Sequence, residues 1–173
     1  GIITDSPQKN KAWHRLLAGL LLVISSCSYY STTSGLPGHI KAVGVGFFDN
    51  YSVEAGLDER LARAITDKLL TRTDVTFTAA RAANAVFEGT IKSVTEGPSA
   101  YGASDQARRF RITVSVEARF VDRLEGDWVW DNDSLYSEVE YDPAGGNAAR
   151  QKALDEAAAD LSSQIVDRAT SGW

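Results

Sequence analysis

Methionine is absent from all 173 residues, position 1 included, which points to a fragment or a mis-set start. Cysteine occurs once, at Cys27, so no disulfide staples the fold. Of the two histidines, only His39 lies beyond the first 26 residues. A single histidine without a further thiol all but rules out a zinc site, and its place beside Pro37-Gly38 reads as a solvent-facing turn rather than a catalytic position. GxSxG, HExxH and P-loop patterns are missing. Gly44 and Gly46 make a GxG, but no third glycine and no helix start follow, so this is not a dinucleotide fingerprint; such strand glycines permit close packing by a crossing helix. Carboxylates are plentiful yet fall in loops and on wet faces. Asp131 and Asp133 could form an acid pair or a Ca²⁺ site, but solvated loop charges are the better reading. Together these absences leave an enzyme as the weakest class, and no metal is expected.

Long apolar runs are also scarce. The longest, Leu16–Ile24, has nine apolar or small residues. At about 1.5 Å per helical residue it covers roughly 14 Å, half of a ~30 Å bilayer core, so it is not a resident span. It follows Lys9, Lys11, His14 and Arg15 and runs into Ser25-Ser26-Cys27, the layout of a secretory signal. Ile24-Ser25-Ser26-Cys27 resembles the lipobox of bacterial lipoproteins. That resemblance implies cleavage after Ser26, a diacylglyceryl group on the Cys27 sulfur and acylation of the new amine. A thiolate is the best side-chain nucleophile for such chemistry near neutral pH. The other reading is an ordinary signal peptide ahead of a free or buried cysteine. The expected organisation is a signal at 1–26, a lipidated tether at 27–38 and one domain at 39–173. No cofactor is expected beyond the covalent lipid on Cys27.

Residues 27–173 carry 15 Lys/Arg against 22 Asp/Glu, a net charge of −7, which argues against nucleic acid as a partner. The polar, turn-rich 28–38 reads as tether, with Tyr29 and Tyr30 placed either at headgroup level or docked on the domain. Ile40–Phe48 reads as a near-continuously apolar strand. Leu57, Leu61, Ile65 and Leu69 stripe a helix over Leu57–Thr71, with Asp58 and Glu59 at its start and Lys68 and Arg72 at its end. Val75-Thr76-Phe77 could add a short strand, followed by a helical turn or irregular chain at Ala79–Ala83. Ala85–Thr95 reads as a strand with Phe87, Gly89 and Ile91 inward and Glu88, Thr90 and Lys92 outward. Glu96–Asp105, which contains Gly97-Pro98, reads as a hairpin loop of about ten residues. Phe110–Phe120 alternates six times and is the clearest strand. Asp122–Asp127 reads as a tight turn, and Trp128–Glu140 as a strand with Trp128 and Trp130 on one side and a bulge at Asp131-Asn132-Asp133. Asn147–Thr170 is a long helix striped by Leu154, Ala157, Ala158, Leu161, Ile165 and Ala169, with Gly172 as its stop and Trp173 over its end.

The order β-α-β-β-β-α predicts an α+β two-layer sandwich: two helices on a mostly antiparallel, mixed four-stranded sheet. Arg108, Arg109 and Arg111, with Lys92 nearby, stand out in this acidic domain. Arginine forks suit phosphate and carboxylate groups. Equally, they could pair across strands with Glu88, Glu117 and other wet-face acids.

From Cys27 onward the chain resembles the LPS-assembly lipoprotein family, LptE. The resemblance is carried by Cys27-Ser28-Tyr29-Tyr30, by Leu36-Pro37-Gly38-His39-Ile40-Lys41, by Phe47-Phe48-Asp49-Asn50 and by Gly56-Leu57. It continues through Asn84-Ala85-Val86-Phe87-Glu88-Gly89-Thr90-Ile91, Trp128-Val129-Trp130-Asp131 and the Ala-rich final helix. Order and spacing carry it; no single motif is specific. Ser28 departs from the glycine many members have after the cysteine, and it is not the Asp that retains lipoproteins in the inner membrane. The resemblance implies a non-enzymatic lipoprotein on the periplasmic face of the outer membrane. It would plug and help assemble the LptD β-barrel and bind lipopolysaccharide at basic residues of the sheet–loop region. By region, Arg108, Arg109, Arg111 and Lys92 are the candidates. The Gly97–Asp105 loop and the Asp122–Asp127 turn are the strand ends available to enter a barrel. A competing reading is an oligomeric or partner-binding envelope lipoprotein of the curli-secretion or TolB-N-terminal type. A weaker one is an acidic envelope hydrolase.

Overall fold

The computed structural model describes residues 36–72, 75–101 and 107–171. The signal-like segment, Cys27, Tyr29, Tyr30, most of the tether, residues 102–106, Gly172 and Trp173 lie outside the described residues. The chain runs β1 (Ala42–Asn50), α1 (Leu57–Leu70), β2 (Thr76–Phe77), a 3₁₀ turn (Ala80–Ala82), β3 (Ala85–Tyr101), β4 (Ala107–Asp122), β5 (Trp128–Tyr141), a second 3₁₀ turn (Pro143–Gly145) and α2 (Gly146–Ser171). Five strands form one sheet in the order β2-β1-β3-β4-β5. β1 is parallel to both β2 and β3, and β3-β4-β5 is an antiparallel meander. The architecture is the expected α+β sandwich, with a fifth strand supplied by the short Thr76–Phe77 pairing.

The helices bury the stripes read from the sequence. Leu57, Leu61, Ile65 and Leu69 of α1 and Leu154, Ala157, Leu161, Ile165 and Ala169 of α2 form one core with Phe87, Ile91, Ile112, Val114, Val116 and Phe120 of the sheet. Phe87 and Phe120 stack across β3 and β4 with ring centroids 4.3 Å apart. Side chains alternate across a strand, so the apolar half of β4 faces the helices and the other half, Arg111 to Arg119, lines the uncovered face.

Gly89 sits where the sheet is tightest. A Cβ there would lie 2.1 Å from the Glu117 carbonyl oxygen and 3.0 Å from the Phe48 ring. Gly44 also admits a close approach, although backbone at Thr78–Ala80 makes it, not the crossing helix expected from the sequence.

The expected loop at Glu96–Asp105 is largely strand. β3 continues through Gly97 and Pro98 to Tyr101, pairing Glu96 with Ile112 and Pro98 with Phe110. Register shifts follow Pro98 and Ala100, and a bulge is where a sheet tolerates proline. Two cross-strand anchors hold this extension: Phe110 packs on Tyr141, and Glu96 is bonded by Tyr141 and Arg150. In β5 the expected bulge is present, because Val116 faces Leu135 and Ala118 faces Asn132, leaving one extra residue on β5. A second shift separates the tryptophans. Trp130 sits opposite Phe120 and packs on the core, while Trp128 sits opposite Val121 and is exposed, so they do not share a side.

Candidate functional site

The meander gives the sheet two distinct ends. One holds the close of β3, the start of β4 and the close of β5. Here Arg108 and Arg109, both exposed, line an open groove of about 730 Å³ with Asp142, Pro143 and Ala144. Pro143 opens the 3₁₀ turn, and the Asp142 carboxylate accepts from the Ala144 N–H at 2.8 Å, which fixes the groove's other wall. Among the described residues neither arginine forms a salt bridge, although Arg109 is near enough to help hold the Glu140 carboxyl low.

Arg111 and Lys92 are placed differently. Arg111 meets Glu140 at 3.0 Å and Glu138 at 3.6 Å on β5. Its bond holds Glu140 below the usual carboxylate range. Lys92 meets Glu117 at 2.5 Å, and Arg119 meets Glu88 at 2.9 Å. The uncovered face is thus a ladder of cross-strand ion pairs. The four basic candidates divide: Arg108 and Arg109 present their charge at the groove, whereas Arg111 and Lys92 are engaged along the ladder.

A rigid polar cluster supports the same end. Arg150 of α2 donates to Glu96 at 2.8 Å and to both carboxylate oxygens of Glu54, at 2.7 and 3.2 Å. Tyr141 donates to the other oxygen of Glu96. The cluster ties β3, β5, α2 and the loop before α1. Arg150 holds the Glu54 carboxyl low. Burial alone would raise Glu96, but the bonds from Tyr141 and Arg150 outweigh it and hold it low as well. Burial and the Glu96 charge push the Tyr141 hydroxyl up to about 12.

The opposite end holds the start of β1 and the β4–β5 turn. Asp122 is 3% exposed, a correction to the expectation that the carboxylates lie in loops and on wet faces. Its Oδ1 accepts from the Leu124 and Glu125 N–H groups at 2.8 and 3.3 Å, and its Oδ2 is bonded to His39 Nε2. His39 lies exposed in its turn, as expected, and also clasps the segment entering β1 to the β4–β5 turn. The bond to Asp122 raises the His39 pKa above the usual 6.5. Burial pushes Asp122 up, but His39 and the two backbone donors overcome it and hold it low. One signal was available: Asp122 falls on the next inward position after Ile112, Val114, Val116, Ala118 and Phe120, so its carboxylate needed a partner. Glu125 Oε1 completes a group of three possible metal donors within 4.8 Å, but both Asp122 oxygens already serve the turn and the clasp. Asp131 is exposed opposite Arg119, and the Asp133 side chain lies outside the described residues.

Comparison with known proteins bears on fold and family. Uncharacterized lipoprotein B of Nitrosomonas europaea has a TM-score of 0.55 at 16% identity, covering 79% of this chain and 85% of its own. The PelC dodecamer of Paraburkholderia phytofirmans gives 0.52 at 16% identity, covering 78% and 92%. A minor lipoprotein of Acinetobacter baumannii gives 0.51 at 14% identity, covering 77% and 94%. At such identities the likeness establishes the shared fold alone. Nothing matches among curated protein sequences. The family model for LptE, described as lipopolysaccharide-assembly, matches residues 40–169, from the first residue of the buried core through the last turns of α2. The chain belongs to the LptE family of lipopolysaccharide-assembly proteins.

Proposed function

We propose that this protein is a non-enzymatic outer-membrane lipoprotein that plugs and helps assemble an LptD-like lipopolysaccharide-translocating barrel. The family match across the whole sandwich is the observation that carries this reading. Cleavage after Ser26 would leave Cys27 as the lipidated first residue. Several acyl chains on it would hold the domain stably at the periplasmic face, where one chain would be marginal. Arg108 and Arg109 are the ligand contacts best supported by the geometry, since both line the groove and, among the described residues, neither forms a salt bridge that pairing with lipopolysaccharide phosphates would have to displace. Arg111 and Lys92 act as secondary contacts, reached only by exchange with their carboxylate partners. A plug must be stiff, and the Arg150 cluster together with the stacked Phe87–Phe120 core supplies that stiffness.

Depletion of the protein from its host tests this reading. The expected result is loss of mature barrel and of surface lipopolysaccharide; unchanged levels of both would contradict it. Cys27→Ala is expected to move the protein from the membrane to the soluble periplasmic fraction.

A further inference from the structure

Neither conformation nor packing requires a glycine at Gly97 in β3. Its backbone lies outside the left-handed region, and a Cβ there would meet nothing within 4 Å among the described residues. Gly44 and Gly89 are different, because neighbouring backbone fills the space over each. Glycine weakens the interior of a strand, and it recurs where a ligand comes close to the backbone. The space over Gly97 belongs to an open trough of about 490 Å³. Residues 95–99 of β3, Arg111 and Thr113 of β4 and Glu138 of β5 line it. Strand pairing sets the layout: Gly97 faces Arg111, Thr95 faces Thr113, and Thr113 faces Glu138. One row on, Ser93 faces Ser115, and Ser115 faces Tyr136, which is 62% exposed. Arg111, Thr113 and Ser115 alternate with buried Ile112, Val114 and Val116, so the trough and Tyr136 lie on the uncovered face of the sheet.

The lining selects a class of ligand. Arg111 is held by Glu138 and Glu140, so a phosphate meets a cation that is already paired. Apart from Pro98 and Gly97, every lining side chain is a hydroxyl or a charge. Such a surface suits neither an acyl chain nor the centre of a protein interface, where charged residues are depleted. Threonine hydroxyls that donate and accept, a carboxylate that accepts and guanidinium N–H groups that donate match the hydroxyls of a sugar ring. Tyr136 adds an exposed aromatic face for the C–H side of such a ring. The trough also falls within the size range of small-molecule sites.

We propose that this trough is a saccharide subsite. A short run of uncharged sugar units lies over Gly97, bonded through its hydroxyls to Thr95, Thr113, Arg111 and Glu138, and stacks on Tyr136. This rests on the lipopolysaccharide reading above for the source of the sugar, which is the saccharide portion of that glycolipid. The phosphates go to the Arg108–Arg109 groove at the same end of the sheet.

The test uses the full chain in detergent micelles and two probes. One is lipid A; the other is the oligosaccharide freed from host lipopolysaccharide by mild acid and stripped of phosphate. Calorimetry and saturation-transfer NMR read binding of each. The oligosaccharide is expected to bind the unaltered chain and to bind Gly97→Val about ten-fold more weakly or worse, because the valine fills the trough. Valine favours strands and its Cβ is unobstructed here, so Gly97→Val is expected to keep its circular dichroism and Tm. Thr113→Val keeps the side chain's shape, removes one hydroxyl, and is expected to weaken the oligosaccharide about three-fold or more. Arg108→Glu with Arg109→Glu is expected to weaken lipid A and leave the oligosaccharide unchanged. Equal binding of the oligosaccharide by the unaltered chain, Gly97→Val and Thr113→Val overturns the proposal. If Gly97→Val then also loses a co-isolated barrel, the face is a protein contact instead. Lipid A binding without oligosaccharide binding overturns the proposal while leaving the glycolipid reading intact. Oligosaccharide binding without lipid A supports the trough and counts against the Arg108–Arg109 groove. Binding of neither probe refutes both.

Discussion

Arg150→Met removes the cation that two partly buried carboxylates, Glu54 and Glu96, share. Side-chain exposure is 26% for Arg150, 15% for Glu54 and 27% for Glu96, so all three are substantially withdrawn from water. Breaking a fully buried pair by deleting one partner costs about 3–5 kcal/mol, because a charge is left without compensation. Residual solvation here reduces that to about 2–3 kcal/mol. For a domain of this size the loss lowers Tm by roughly 8–12 °C. Methionine keeps much of the aliphatic stem, so packing changes little. The cost also has a pH signature. Glu54 and Glu96 are held below their usual 4.5, so their contribution is complete above that value and fades as pH falls through the depressed ones. In the variant, burial and mutual repulsion favour the protonated carboxyls, so the Tm gap between the two proteins narrows below about pH 4.5. Adding Glu96→Gln to Arg150→Met is expected to recover part of the stability, since one orphaned charge is gone. Thermal melts by circular dichroism across pH, with urea midpoints beside them, measure all of this. A loss under about 0.5 kcal/mol, the scale of an exposed pair, would refute the cluster's role as a brace.

Gly89→Ala is expected to cost on the order of 3 kcal/mol or more, read from urea melts, because the new methyl meets backbone oxygen rather than a movable side chain. His39→Gln is expected to flatten the stability profile between mildly acidic and neutral pH. The clasp's contribution is full below the usual histidine pKa of 6.5 and is lost as pH rises through the raised folded value. A Tm series that declines equally in both proteins would contradict the clasp. Arg108→Glu with Arg109→Glu is expected to weaken binding to purified lipopolysaccharide about ten-fold or more at low salt, with the difference shrinking at high salt. Unchanged binding would remove the groove from consideration.

The helices were legible because their apolar stripes repeat at helical spacing, as Leu57, Leu61, Ile65 and Leu69 do. β4 was legible because its inward and outward residues alternate without interruption. The far half of β3 was not, because Gly97 and Pro98 carry local turn preference that two tertiary anchors, Arg150 on Glu96 and Phe110 on Tyr141, override. The separation of Trp128 from Trp130 depends on a one-residue bulge that leaves no trace in composition. At the candidate site, sequence grouped Arg108, Arg109 and Arg111 by proximity. The pleat sends Arg111 onto the ion-pair ladder, and the strand's first residues bring Arg108 and Arg109 to the groove instead. His39 and Asp122, 83 residues apart, could be joined only by knowing that β1 and the β4–β5 turn share one end of the sheet.

Affinity isolation of the full chain from native membranes tests the central claim most directly, with mass spectrometry and size analysis of what comes with it. The account predicts a one-to-one complex with a large outer-membrane β-barrel, carrying lipopolysaccharide that the Arg108→Glu, Arg109→Glu variant retains poorly. Recovery of a homo-oligomer with no barrel would contradict it and favour a ring-forming envelope lipoprotein.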